Sequence, residues 1–426
     1  MDSDIDYLLS LAAVRDRANV VFDLAEKGKL SHFNYEPKKL DVVADYVSNL
    51  ISRDFGPDRY NEIPPHGRWQ HFNVGGVDRV ATLLEETGST DKTEQVRILI
   101  DLFVVSVLLD AGAGAEWRFL EPVASTYSNR SEGIAVASLY MFKAGAFSSD
   151  SSKPYSVSAQ GLKDLSTSEF KKHFQISESN PMIGVEARVQ LLREVGNSLL
   201  QLPKVFGEQG RPGNLVDYLL SSSEGGILKY SQLWSVLQSL LIPAWPKSRT
   251  HVNGRPIGDA WPLQALAAQS TETAGTISTI QPFHKLTQWL AYSLSVPFER
   301  VLGLKWTEME SGTGLPEYRN GGLFVDLEVL QLKPETLAAG QKASGQDLPI
   351  YGDTSDVIVE WRALTVALLD RLHGLVAGKF AKQGISLSMA QMLEAGSWKA
   401  GRELAKAKRP ETMSSPILID GDGTLF

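Results

Sequence analysis

Hydrophobic positions recur along most of this chain with the three-to-four-residue spacing of a helix rather than the alternation of a strand. Leu11, Ala18, Val21 and Ala25 fall on one face of a helical period, which predicts an early amphipathic helix packed on a core. A second helix is expected over residues 41–55, and the Pro- and Gly-rich stretch 55–76 after it reads mostly as loop. Asp91 and Glu94 stand in capping-box order ahead of an almost unbroken apolar run. That run predicts a long buried helix over 96–113, stopped by Gly112 and Gly114. Further helices are expected over 131–147, 183–206, 215–220, 232–242 and 283–302, the last kinked or broken at Pro297. Beyond a Gly-rich turn at 312–322, the apolar segment up to Leu332 suits a strand or a short helix, and Val357, Trp361, Leu364, Leu368 and Leu372 form another helical stripe. With no internal repeat, no sustained heptad and few alternating runs, the expected fold is mainly α, a multi-helical globular protein with few short strands.

The Ser/Asp/Lys-rich text at 148–153 interrupts the pattern, and Ser166 with Glu169 restarts a helix by capping chemistry. It suggests an N-terminal helical subdomain, 1–150, packed on a C-terminal one, 151–426, or else one continuous domain. Both lengths are ample for a core without disulfides or metal.

Composition then narrows the chemistry. The chain has no cysteine, which removes thiolate nucleophiles, cysteine zinc sites and iron–sulfur clusters together. Carboxylates, arginines and histidines are left. The seven histidines are scattered with no His-Glu-x-x-His spacing, so neither a metal nor another cofactor is expected. A net charge of −8 without any Lys/Arg block lacks the footprint of a nucleic-acid binder. The longest apolar stretch, 103–109, is interrupted by Ser106 and is far too short to span a membrane. Residues 1–6, Met-Asp-Ser-Asp-Ile-Asp, are acidic where a leader would be basic, which points to a cytoplasmic protein. The expected partner is a small molecule, and a local basic pocket for one phosphate is compatible with this balance.

Four segments concentrate polar residues beyond what packing requires. In 66–79, His71 and Arg79 face a ligand in the functional reading; in the plainer one Asp78 caps a helix and the rest is solvated. In 110–117, Asp110 ends an apolar helix ahead of Trp117, in the turn where the helix dipole disfavours an acid. It needs a partner such as an arginine or a sugar hydroxyl. The loop 245–261 carries Trp245, Arg249, Asp259 and Trp261: arginine forks suit phosphate or carboxylate, and indoles suit flat or cationic groups, unless the tryptophans merely pin a surface loop. The segment 314–322 sets Glu317, Tyr318 and Arg319 between glycines that would let a backbone approach a ligand closely, and it ranks highest. An Asp-x-Asp-Gly-Thr run at 420–424 matches the opening of haloacid-dehalogenase-type phosphotransferases, but the sequence has no α/β domain after it and the motif is set aside.

Taken together, the motifs 107–114, 130–133, 211–213, 282–290, 314–322 and 359–364 resemble, nearly end to end, the uracil-catabolism protein four family of fungi and bacteria. The resemblance implies a role in non-reductive pyrimidine degradation, where opening the ring of a nucleotide leaves a ribosylurea-type intermediate whose N-glycosidic bond must be cut. Glu317-Tyr318-Arg319 is also similar to the Asp-Tyr-Arg of queuosine-salvage glycosylases, which implies a DNA-glycosylase-like helical core; the acid here is Glu. On this reading Glu317 stabilises the charged sugar or activates water, Asp110 or Asp259 holds ribose hydroxyls, Arg249 or Arg319 takes a 5′-phosphate, and His284 protonates the departing nitrogen. His71, Asp78, Arg79, Trp117, Trp245 and Tyr318 complete the expected substrate contacts. An amide or ureido C–N hydrolase, and a non-catalytic nucleotide-binding scaffold, are the alternatives.

Overall fold

Two helices that are apolar on nearly every face, Lys92–Leu108 and Lys285–Leu302, pack against each other at the centre of the protein. A helix apolar all round has no face to give to water, so others must cover it. Arg130–Lys143 and the short Arg68–Phe72 lie against the first; Tyr230–Leu241 lies against the second. A further layer is built on the long Asp356–Ala381 helix, against which Leu11–Glu26, Lys39–Phe55 and Tyr318–Asp326 pack. The computed structural model describes residues 2–114, 116–246, 248–269 and 277–421.

The fold is mainly α. Strands among the described residues pair only in twos, for example Phe33–Tyr35 antiparallel to Leu330–Leu332 and Ile350–Gly352 parallel to Leu418–Asp420. One hydrophobic cluster runs from Leu11 to Ile417 and draws on both sides of the 148–153 break; a small second one joins Ile5 and Leu8 to Val252, Ile257, Ala260 and Ile280. No helix among the described residues is long and apolar enough to cross a membrane.

Three departures from the sequence pattern shape the site. The helix expected over 96–113 ends at Leu108 because Arg188 intercepts the carbonyls that follow: Nε donates to the Leu109 carbonyl at 3.1 Å and Nη2 to those of Ala111 and Gly112 at 2.8 and 2.9 Å. An arginine fork at a helix C-terminus satisfies acceptors the helix itself cannot. The Lys285–Leu302 helix runs on through Pro297 without a break. Finally, Gly321 lies inside the Tyr318–Asp326 helix instead of in a turn, where an added Cβ would stand 2.8 Å from the Trp361 ring. That glycine serves helix packing and not a ligand.

Candidate active site

A cavity of about 420 Å³ opens where three helices begin, at Arg130, Lys285 and Tyr318. Its size is that of a small-molecule site. The loop 110–114, held by Arg188, forms one wall, and segments 412–415 and 417–419 form another. The positive ends of three helix dipoles therefore meet at one space.

Glu317 is the N-cap of its helix: Oε2 accepts from the Arg319 amide at 2.7 Å and Oε1 from the Asn320 amide. Burial raises its carboxyl above the ordinary glutamate range, against the pull of these two amides and of Lys285. Lys285 moves the other way. Burial, then the nearby Arg362, brings its ammonium down to about 8. Desolvation disfavours whichever form is charged, so it drives acid and base toward each other's range.

Across from them, four rings surround part of the cavity. His66 lies 4.6 Å from Trp289 and 5.7 Å from Trp398 between centroids, and His71 lies 5.6 and 5.5 Å from the same indoles. His66 Nδ1–H donates to Glu394 at 2.6 Å. Arg68, wholly buried, donates to His71 Nδ1 at 3.1 Å and to Asp110 Oδ2 at 2.7 Å. Burial and the Arg68 charge push His71 well below its usual range, so the ring is neutral. An arginine can only donate, which leaves the single proton of His71 on Nε2. That N–H is buried and has no hydrogen-bond partner among the described residues. Buried polar groups are rarely left unpaired, so this N–H calls for an acceptor, whether water or ligand.

A family described as "Protein of unknown function (DUF1688)" matches residues 7–426. "Uracil catabolism protein 4" of Lachancea kluyveri is 44% identical over 443 aligned positions, covering 100% of both chains. "Protein urg3" of Schizosaccharomyces pombe (strain 972) is 46% identical over 425 positions and 98% of both. The chain belongs to this family.

For a family member the division of the expected site residues is informative. Glu317, Tyr318, Arg319, Asp110 and His71 line one cavity. The others lie outside it. Asp78 caps the Arg79–Thr87 helix through the Ala81 amide, and Arg79 is held by Glu121 through two 2.7 Å bonds. Trp117 is buried with its Nε1–H on the Phe174 carbonyl. Arg249 is sandwiched between Trp245 and Trp261, 5.1 and 5.4 Å from the rings; its neighbour Lys247 lies outside the described residues, as do 422–426 of the discounted terminal motif. His284 takes a left-handed backbone, φ 47°, and its Nε2 bonds the Leu8 carbonyl. Asp259 forms a bidentate pair with Arg362 at 2.8 and 2.7 Å, takes the Trp261 indole N–H, and accepts the Lys285 amide at 3.1 Å. It sets where the Lys285 helix starts and does not itself line the cavity.

Sequence reasoning passed over His66, Arg130, Lys285, Trp289 and Trp398 as site residues. Lys285 and Trp289 sat beside His284 in one motif, and their i,i+4 spacing puts both on one helix face. Arg130 opened another motif. Nothing in the local pattern singles out Trp398. Among the described residues no group of three or more His, Asp or Glu is arranged to hold a metal ion.

Proposed function

We propose that this protein acts in uracil breakdown as an N-glycosidase, hydrolysing the bond between ribose and a urea nitrogen in a ribosylurea-type compound. The names of its relatives support the pathway; the pairing of Glu317 with Lys285 in one cavity carries the reaction. Breaking an N-glycosidic bond builds positive charge on the sugar, so a fixed carboxylate stabilises the transition state or takes a proton from the attacking water. Glu317 is fixed by two backbone amides and needs no reorganisation to do either.

The departing nitrogen must gain a proton as the C1′–N bond breaks and its electron pair leaves with nitrogen. Lys285, with its ammonium near 8, is protonated at neutral pH and has a small driving force against giving the proton up, as a general acid should. Water supplies the new C1′–O bond and its proton passes to Glu317, so the step balances. His71 Nε2–H would receive the urea carbonyl, with Trp289 and Trp398 against the planar group. Asp110 is anchored through one oxygen by Arg68, and its other oxygen is available to ribose hydroxyls.

Incubation of the purified protein with ribosylurea and its 5′-phosphate tests this. Urea with reducing sugar is the expected product pair. Ammonia instead would mark a ureido C–N hydrolase, and binding without any product a non-catalytic partner; either overturns the proposal.

A further inference from the structure

The glycosidic chemistry uses one part of the cavity and leaves a cationic part unused. Arg130 lines the wall, and its side chain makes no hydrogen bond or ion pair to any described residue. Its backbone sits in the left-handed region, φ 53°, a conformation that non-glycine residues adopt at a cost. Arg319 approaches from the facing helix; among the described residues its one side-chain hydrogen bond goes to the Met413 carbonyl at 2.9 Å, its guanidinium lies 4.7 Å from the Tyr318 ring, and no carboxylate pairs with it. The two charges are close enough to feel each other: burial, then Arg319, lowers Arg130. The nearby acid Glu132 is already taken by Arg402.

Two further observations place acceptor-seeking groups here. The helix Arg130–Lys143 has no side-chain cap, so the amides of its first turn lack a protein acceptor of that kind. Ser415, which lines the same cavity beside Met413, is 9% exposed and its hydroxyl has no hydrogen-bond partner among the described residues. Two arginines without carboxylate partners among the described residues, a helix start without a side-chain cap and an orphaned hydroxyl share one need, a compact anion with several acceptor oxygens. Arginine's planar fork meets a phosphate through two parallel bonds.

We infer that the Arg130, Arg319 and Ser415 end of the cavity is a phosphomonoester subsite, so that the substrate is the 5′-phosphorylated ribosyl compound and not the free nucleoside. This rests on the glycosidase reading for the sugar's identity but not for the anion.

The test is calorimetric titration of the full chain with ribose 5-phosphate, ribose and acetate, in wild type and in Arg130→Ala and Arg130→Lys. Ribose 5-phosphate should bind at least about tenfold more tightly than ribose, the preference should weaken with added salt, and Arg130→Ala should lose most of it while Arg130→Lys keeps part. Equal affinity for ribose and its phosphate, an undiminished preference in Arg130→Ala, or acetate competing as well as ribose 5-phosphate would overturn the inference. Because the Arg130 side chain makes no hydrogen bond or ion pair to the described residues, its loss should leave the fold intact, and the wild-type comparison needs no variant at all. Failure of the glycosidase reading would look different: phosphate preference retained, with no urea released.

Discussion

Replacing Asp259 by Asn separates a positioning role from a catalytic one. The substitution changes one carboxylate oxygen to an amide NH2, which removes the bidentate pairing to Arg362 and turns a donor toward Arg362, the Trp261 indole or the Lys285 amide. Removing one partner of a buried ion pair costs about 3–5 kcal/mol, since the remaining charge stays desolvated. At about 2.1 cal/mol/K per residue, a chain of 426 residues has an unfolding entropy of roughly 0.9 kcal/mol/K, so the expected drop in Tm is about 3–6 °C. Acid dependence gives a second readout. Burial alone would raise the Asp259 carboxyl, but Arg362 and the Trp261 and Lys285 hydrogen bonds outweigh it and hold the group well below 3.8. A depressed folded-state pKa contributes stability that is full above the unfolded value and fades as pH falls toward the folded one. The variant should therefore lose stability at pH 7 and lose less of it than wild type between pH 4 and acid, as followed by differential scanning calorimetry. An Asp259→Asn protein with unchanged Tm but no turnover would refute this reasoning and put the carboxylate in the chemistry.

Three other outcomes follow from the cavity. The pH profile of kcat/KM should rise as Glu317 ionises, above the ordinary glutamate value of 4.5, and fall as Lys285 loses its proton near pH 8; Lys285→Met should remove the alkaline limb. Trp398→Ala opens the ring quartet and should raise KM about tenfold with little change in circular dichroism, the worth of one aromatic wall. Gly401→Ala would set a Cβ 2.1 Å from the Arg319 carbonyl oxygen, so denaturant titration should show a loss of about 1–3 kcal/mol, with weaker ribose 5-phosphate binding as Arg319 shifts.

Much of the helical architecture was legible because burial imposes a period: the 357–372 stripe lies within the Asp356–Ala381 helix, and the apolar run after Asp91 became the central Lys92–Leu108 helix. Helix ends were less so, since Arg188, far along the chain, decides where that central helix stops. For the site, chemistry-bearing residue types marked Asp110 and Glu317, whose neighbours in sequence are also neighbours in the cavity. Asp259 and His284 stood out for the same reason, yet their partners Arg362 and Leu8 are distant in sequence and turn them toward structural bonds. The left-handed turn at His284 is what brings Lys285, one residue on, to the cavity in its place. Trp398 is joined to His66 and His71 only by tertiary packing, which no local pattern encodes.

The central claim is that Glu317 drives N-glycosidic cleavage, and the most direct measurement compares urea release from 5′-phosphorylated ribosylurea by wild type and Glu317→Gln. A glutamine oxygen can still accept one of the two helix amides, so the cap should weaken by only about 1 kcal/mol, while turnover should fall by about 10²–10³. A folded Glu317→Gln protein that releases urea at the wild-type rate would contradict the account.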